Sequence, residues 1–166
     1  IRKVTIIRVG EKANNFKTDE AAFQAANKSY DNVEKEKLIE KIKKLIKFSK
    51  EKHPNAVLTN AGYFSETTQT GTGDNPKKGD LVKVGLSIDL DNGTNMRKAD
   101  KPLPFAAGSG TIISIIDQSV LQMKVGEKRT LIAPAYQIYG DSKRGGLSSD
   151  SILIFQLELL SINDID

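Results

Sequence analysis

The chain has 166 residues, 38% of them hydrophobic and 28% charged, with no cysteine and no tryptophan. That length holds one ordinary domain with a real core plus an appended arm, and the composition is globular rather than disordered. Disulfides, thiolate metal sites and a cysteine nucleophile are excluded, no run approaches the ~20 apolar residues of a membrane helix, and a net charge of +4 without an Arg-rich or aromatic-interleaved patch argues against nucleic-acid binding.

Val4-Thr5-Ile6-Ile7-Arg8-Val9, closed by Gly10, predicts a short strand. It either docks on this chain's own sheet or keeps an unpaired edge that would seek another chain. The chain starts with Ile rather than Met, which points to a trimmed start and a removed leader, anchor or upstream domain. Thr18 is placed to cap a short helix, with Asp19 and Glu20 in its first turn and Phe23, Ala26 and Tyr30 on one face. A second helix follows, with a buried stripe of Leu38, Ile42, Leu45, Ile46 and Ser49 and a stop at Pro54. Its mixed Lys and Glu residues, such as Glu40 four before Lys44, favour a solvated outer face over a docking surface for a partner helix or membrane. Residues 65–80, rich in Thr and Gly, read as a long connection.

From Val82 the period becomes two: Val82, Val84, Leu86, Ile88 and Leu90 alternate with Lys83, Gly85, Ser87 and Asp89, and the strand ends in the turn Asp91-Asn92-Gly93. Residues 113–120 predict a single short helix packed across a sheet, and Leu153, Phe155, Leu157 and Leu159 form one face of a last strand. An antiparallel, twisted sheet wrapped on one helix is an α+β architecture. Gly108-Ser109-Gly110 lacks the Gly-Lys-Ser/Thr ending of a phosphate loop and reads as a tight turn before the short helix. His53, the sole histidine, has too few neighbouring ligands for a metal site. No metal and no cofactor are expected.

The run Leu121-Gln122-Met123-Lys124-Val125-Gly126-Glu127-Lys128-Arg129, continuing to Tyr139-Gly140 and then Leu153-Ile154-Phe155-Gln156-Leu157, resembles the core of the FKBP family. Two further pieces fall in the right order upstream: Gly71-Thr72-Gly73 before the 76–84 stretch, and Pro104-Phe105 before Gly108-Ser109-Gly110-Thr111-Ile112-Ile113. The family consists of macrolide-binding peptidyl-prolyl cis-trans isomerases, and the resemblance implies an FKBP-like domain over residues 57–166. Residues 18–56 then form a helical arm. Residues 1–17 hold the N-terminal strand, and residues 1–10 look like the closing strand of a cyclophilin, an unrelated isomerase fold.

The resemblance implies catalytic roles for Tyr139, Phe105 and Phe155, and a substrate pocket completed by Ile112, Ile113, Ile116, Leu86, Met96 and Leu147. Several of these depart from the family. Leu86 stands where a Tyr is usual, Met96-Arg97 replaces Phe-Asp, Ile116 replaces the tryptophan of the pocket's base, and Leu147-Ser148-Ser149 replaces Ile-Pro-Pro. Leu86 and Ile116 keep the cavity greasy but remove two rings and a hydroxyl, while Met96 can fill space adaptably. Arg97 inverts a charge and is expected to swing into solvent or recruit a carboxylate such as Asp100. The loop of residues 141–146 would overhang the pocket.

The expected function is attenuated isomerisation of X-Pro bonds in protein substrates, with weak or absent macrolide binding. The alternative is a catalytically weak FKBP-like chaperone or protein-binding module. Proline-containing polypeptides are the expected partners, with self-association through the edge strand or the helical arm. The expected setting is periplasmic or membrane-anchored through a removed N-terminal segment, with the cytoplasm as the alternative.

Overall fold

A computed structural model describes residues 20–140 and 147–164. The predicted N-terminal strand, Thr18 and the loop of residues 141–146 lie outside them. The first element is one helix, α1 (Glu20–Lys52), where two were expected. The segment between Tyr30 and Leu38 holds no Gly or Pro, is rich in Glu and Lys, and carries a Glu34–Lys37 ion pair at 3.0 Å, so nothing in it ends a helix. The chain divides into two compact units inside this helix, Ile1–Glu40 and Lys41–Asp166. In the first, residues 27–40 are exposed on every side of the helix.

In the second unit, seven strands form an antiparallel sheet: β1 (Val57–Leu58), β2 (Phe64–Gln69), β3 (Leu81–Leu90), β4 (Asn95–Arg97), β5 (Leu103–Ala106), β6 (Lys128–Pro134) and β7 (Ile152–Ile162). Their order is β1-β2-β6-β7-β3-β4, with β5 also paired to β3. The two period-two stretches are neighbours within it, β3 and β7, paired from Val82 opposite Ile162 to Leu90 opposite Leu153 with one register shift between Lys83 and Val84. Strand β2 was missed. It lies inside the expected connection, and its Ser-Glu-Thr-Thr-Gln run after Phe64 gives no apolar alternation to read.

The inner face carries the main core. Val82, Val84 and Leu86 of β3, Leu131 and Ala133 of β6, and Leu153, Phe155, Leu157 and Leu159 of β7 meet Ile115, Ile116 and Val120 of the short helix α2 (Ser114–Val120). Arg129 fixes where α2 ends. Its Nη1 donates to Ser119 Oγ at 3.3 Å and its Nη2 to the Gln122 carbonyl at 3.3 Å, while the buried Glu127 carboxylate accepts from its Nε at 3.0 Å. The charged pair thus ties the carbonyl end of the helix to a core strand. Gly71, from the Gly-Thr-Gly piece, packs against the same turn: a Cβ there would lie 2.6 Å from the Lys124 and Val125 carbonyl oxygens. No side chain fits.

The outer face is covered where the last turns of α1 lie. Leu45 is buried there, and Ile46 and Phe48 half-buried, against Phe64, Ile132, Ile152 and Ile154. The expected stripe is shorter than its periodicity suggested, because Leu38 and Ile42 remain 43% and 41% exposed. Lys44 Nζ pairs with Asp91 at 2.7 Å and donates to the Asp150 carbonyl at 2.8 Å. Lys41 Nζ donates to Ser149 Oγ at 3.1 Å, lies 3.5 Å from the Asp150 carboxylate and sits over the Tyr136 ring. The helix ends at Lys52, ahead of Pro54, and His53 Nδ1 lies 3.6 Å from the Glu66 carboxylate.

Candidate functional site

Eight of the nine expected site residues join one continuous apolar cluster on the inner face. Phe105 comes from β5 opposite Val82, Leu86 from β3 opposite Leu157, and Phe155 from β7 between Ile88 and Leu131. Ile116 is contributed by α2, Leu147 by the segment before β7, and Tyr139 by the end of α3 (Ala135–Tyr139). Ile112 and Ile113 lead into α2. The cluster is graded: Phe105, Leu86, Ile116, Leu147 and Phe155 are buried, while Ile112, Ile113 and Tyr139 are half-buried and form its open edge. Phe155 is 0% exposed, so it backs the site rather than lining it.

Met96 stands apart. The β3–β4 pairing steps from Ile88 opposite Arg97 to Asp89 opposite Asn95, so β4 carries one extra residue, and that residue is Met96. A bulge of this kind leaves its extra residue unpaired and re-aims its neighbours. Met96 is 47% exposed and outside the cluster. Arg97 also departs from expectation: it neither swings free nor recruits Asp100, and its Nη2 donates to the Lys101 carbonyl at 3.5 Å.

Sequence reasoning missed four contributors. Leu103 shares the inward face of β5 with Phe105, and Ile88 and Leu90 continue the inward face of β3; all three are half-buried against the cluster. The fourth is Asp117. Its buried carboxylate accepts from the Gly108 N–H at 2.7 Å through Oδ1 and from the Gly110 N–H at 2.8 Å through Oδ2. Two charge-assisted bonds therefore fold the turn from which Ile112 and Ile113 emerge. The signal was available: a Gly-x-Gly turn followed by an acidic residue in the first turn of a helix.

The chemistry of this cluster is steric and dielectric. Among the described residues no group of three or more His, Cys, Asp or Glu is placed to hold a metal ion. Tyr63, in the same cluster, has its phenol pushed above the ordinary value by burial, with Arg129 and a hydrogen bond to Thr59 pulling it the other way. A groove of about 460 Å³ lies on the other side of the sheet, between Ala99 and Pro102 of the β4–β5 loop and Gly85, Ser87, Thr130 and Gln156, and shares just Leu157 with the cluster. It is a separate feature.

Residues 73–160 match the family model for FKBP-type peptidyl-prolyl cis-trans isomerases. The chain belongs to the FKBP family. FK506-binding protein 2 of Yarrowia lipolytica is 39% identical over 92 residues, covering 53% of this chain and 64% of the relative. FK506-binding protein 1 of Aspergillus oryzae is 37% identical over 107 residues, covering 56% of this chain and 91% of the relative. Against FK506-binding protein 4 of Gibberella zeae the match reaches 21% of the relative's length, so this FKBP chain spans a minor part of some curated relatives and most of others. Among solved structures, FkpA from Escherichia coli has a TM-score of 0.60 at 23% identity, over 91% of this chain and 76% of that one. An isomerase from Pseudomonas syringae has a TM-score of 0.61 at 23% identity, over 74% and 92%. These likenesses agree with the FKBP-like α+β fold read from the sequence.

Proposed function

We propose that this FKBP chain isomerises X-Pro peptide bonds in protein substrates, at an attenuated rate, by taking the imide out of water. Rotation about such a bond faces a barrier of about 18–20 kcal/mol because its C–N link is partly double. The twisted transition state is less dipolar along the carbonyl than the planar ground state, so an apolar surround stabilises it in relative terms. Neither a nucleophile nor a proton transfer is required. The supporting observation is the apolar cluster that gathers Phe105, Ile112, Ile113, Ile116, Tyr139 and Phe155 and keeps an open edge. Phe105, Tyr139 and Phe155 are proposed as catalytic, Tyr139 acting at the open edge and the buried Phe105 and Phe155 supporting it from beneath. Ile112 and Ile113 are proposed to seat the substrate, with the buried Leu86, Ile116 and Leu147 shaping the apolar wall behind them.

Exchange spectroscopy on a Leu-Pro peptide tests this. Faster cis-trans exchange with the protein present, reduced several-fold in Tyr139→Phe at unchanged fold, supports catalysis. The second reading, a chaperone or binding module, rests on the pocket's missing Tyr, Asp and Trp equivalents; it predicts broadened peptide lines with no faster exchange. Self-association through the helical arm is part of the proposal, supported by the exposure of Tyr30, Val33, Leu38 and Ile39. Light scattering of the chain with and without residues 1–40 decides it. A periplasmic or membrane-anchored setting is proposed as well, and fractionation of cells making the full-length protein checks it.

A further inference from the structure

We propose that Arg97 makes this site prefer acidic substrates, namely segments with an Asp or Glu side chain within a few residues of the proline. The inference rests on the isomerase reading for where the proline sits and adds the charge that its neighbours should carry. Three independent observations converge on it.

The first is placement. Arg97 lies directly opposite Ile88, and Ile88 lies directly opposite Phe155. Residues opposite one another in a sheet project from the same face, so Arg97, Ile88 and Phe155 form a cross-strand row on the face that holds the site. With strands about 4.8 Å apart, the row sets the Arg97 backbone roughly 10 Å from that of Phe155, so the guanidinium flanks the site and faces the residues next to the proline rather than the proline itself. The bulge at Met96 is what puts Arg97 in this row.

The second is unmet hydrogen-bonding capacity. Arg97 Nε is buried with no acceptor among the described residues, and Nη2 has just the long 3.5 Å bond to the Lys101 carbonyl. Buried donors are nearly always partnered, and a guanidinium offers its five in a fixed fork that matches a carboxylate. The third is the local field. Residues 97–101 hold Arg97, Lys98 and Lys101 against one carboxylate, Asp100, and both lysines are exposed. Such a loop draws anions toward the guanidinium.

The test uses the full chain and three peptides with one Leu-Pro core, bearing Glu, Gln or Lys two residues beyond the proline. Exchange spectroscopy gives the isomerisation rates and titration gives Kd. The expected order is Glu over Gln over Lys, by about three- to fivefold at each step in low salt, as for a half-exposed ion pair, with the ratios shrinking toward unity at 1 M salt. Arg97→Gln should remove the Glu to Gln ratio and Arg97→Glu should invert it. Arg97→Lys, which keeps the charge without the fork, should retain part of it. If none of the three rates rises above the uncatalysed value, the isomerase reading fails, yet the Kd ratios still decide this proposal. Equal rates and equal Kd for the three peptides, no binding of any of them, or a Glu preference that survives Arg97→Gln overturns it.

Discussion

One sheet carries two apolar clusters that do different work. On the inner face, side chains from β3, β5, β6, β7, α2 and the flanking loops pack into a single continuous core. On the outer face, a handful of residues is buried where the last turns of α1 lie. The inner cluster is closed by many elements distant in sequence, so it holds the fold and shapes the site together. The outer one is closed by a single helix. It should therefore open without unfolding the rest, because cooperative units follow the density of buried contacts.

That contrast can be broken at its strongest point first. Phe155→Ala removes a fully buried ring from the inner cluster and should cost about 3–5 kcal/mol, lowering the whole unfolding transition measured by denaturant titration. Leu45→Ala should cost about 2–4 kcal/mol of local stability, seen as faster hydrogen exchange in the last turns of α1 while β3 and β7 keep their protection. Equal loss of protection in β3 would show that the two clusters are one. Asp117→Ala leaves two glycine N–H groups without their acceptor, at about 1–3 kcal/mol, and should lower isomerase activity through disorder at Ile112 and Ile113. Asp117→Asn, which leaves one oxygen to accept, should recover part of the loss.

The smallest effect concerns acid. Hydrogen bonds from the Asn163 amide and the Lys77 N–H hold the Asp80 carboxyl below its ordinary value. A carboxyl lowered in the folded state contributes stability that is present above its unfolded pKa of about 3.9 and is lost as pH falls through the folded value. Melting curves between pH 5 and pH 2 should show this loss, and Asp80→Asn should flatten it slightly.

How much of this was legible in the sequence depended on whether burial left a period. Strand β3 was readable because it buries one face and alternates accordingly, β7 because its inward residues Leu153, Phe155, Leu157 and Leu159 recur at every second position, and the short helix α2 because its stretch is too short and too apolar to stand alone. Strand β2 was not, since beyond Phe64 its residues are polar and largely exposed, and pairing with β6 is carried by backbone groups that every sequence possesses. The two-helix expectation failed for the opposite reason. A change in the apolar face along α1 resembles a break, although nothing there stops the backbone hydrogen bonds. Type and order picked out eight apolar positions that the fold gathers into one cluster, whereas Met96 lies outside it because a one-residue bulge leaves no mark in composition. Asp117 went unread although a Gly-x-Gly turn ahead of an acidic first helical turn marks it, because its partners are backbone N–H groups with no side-chain signature of their own.

The Leu147-Ser148-Ser149-Asp150 segment is anchored twice: Leu147 sits in the inner cluster, and Ser149 and Asp150 are gripped by Lys41 and Lys44 from the other side of the sheet. Strain on the final turns of α1 is thereby delivered through two ammonium groups to the stretch that bears a site side chain. A pull on residues 41–52 is thus a pull on the segment that carries Leu147, and salt strong enough to loosen those ammonium contacts would slacken that link.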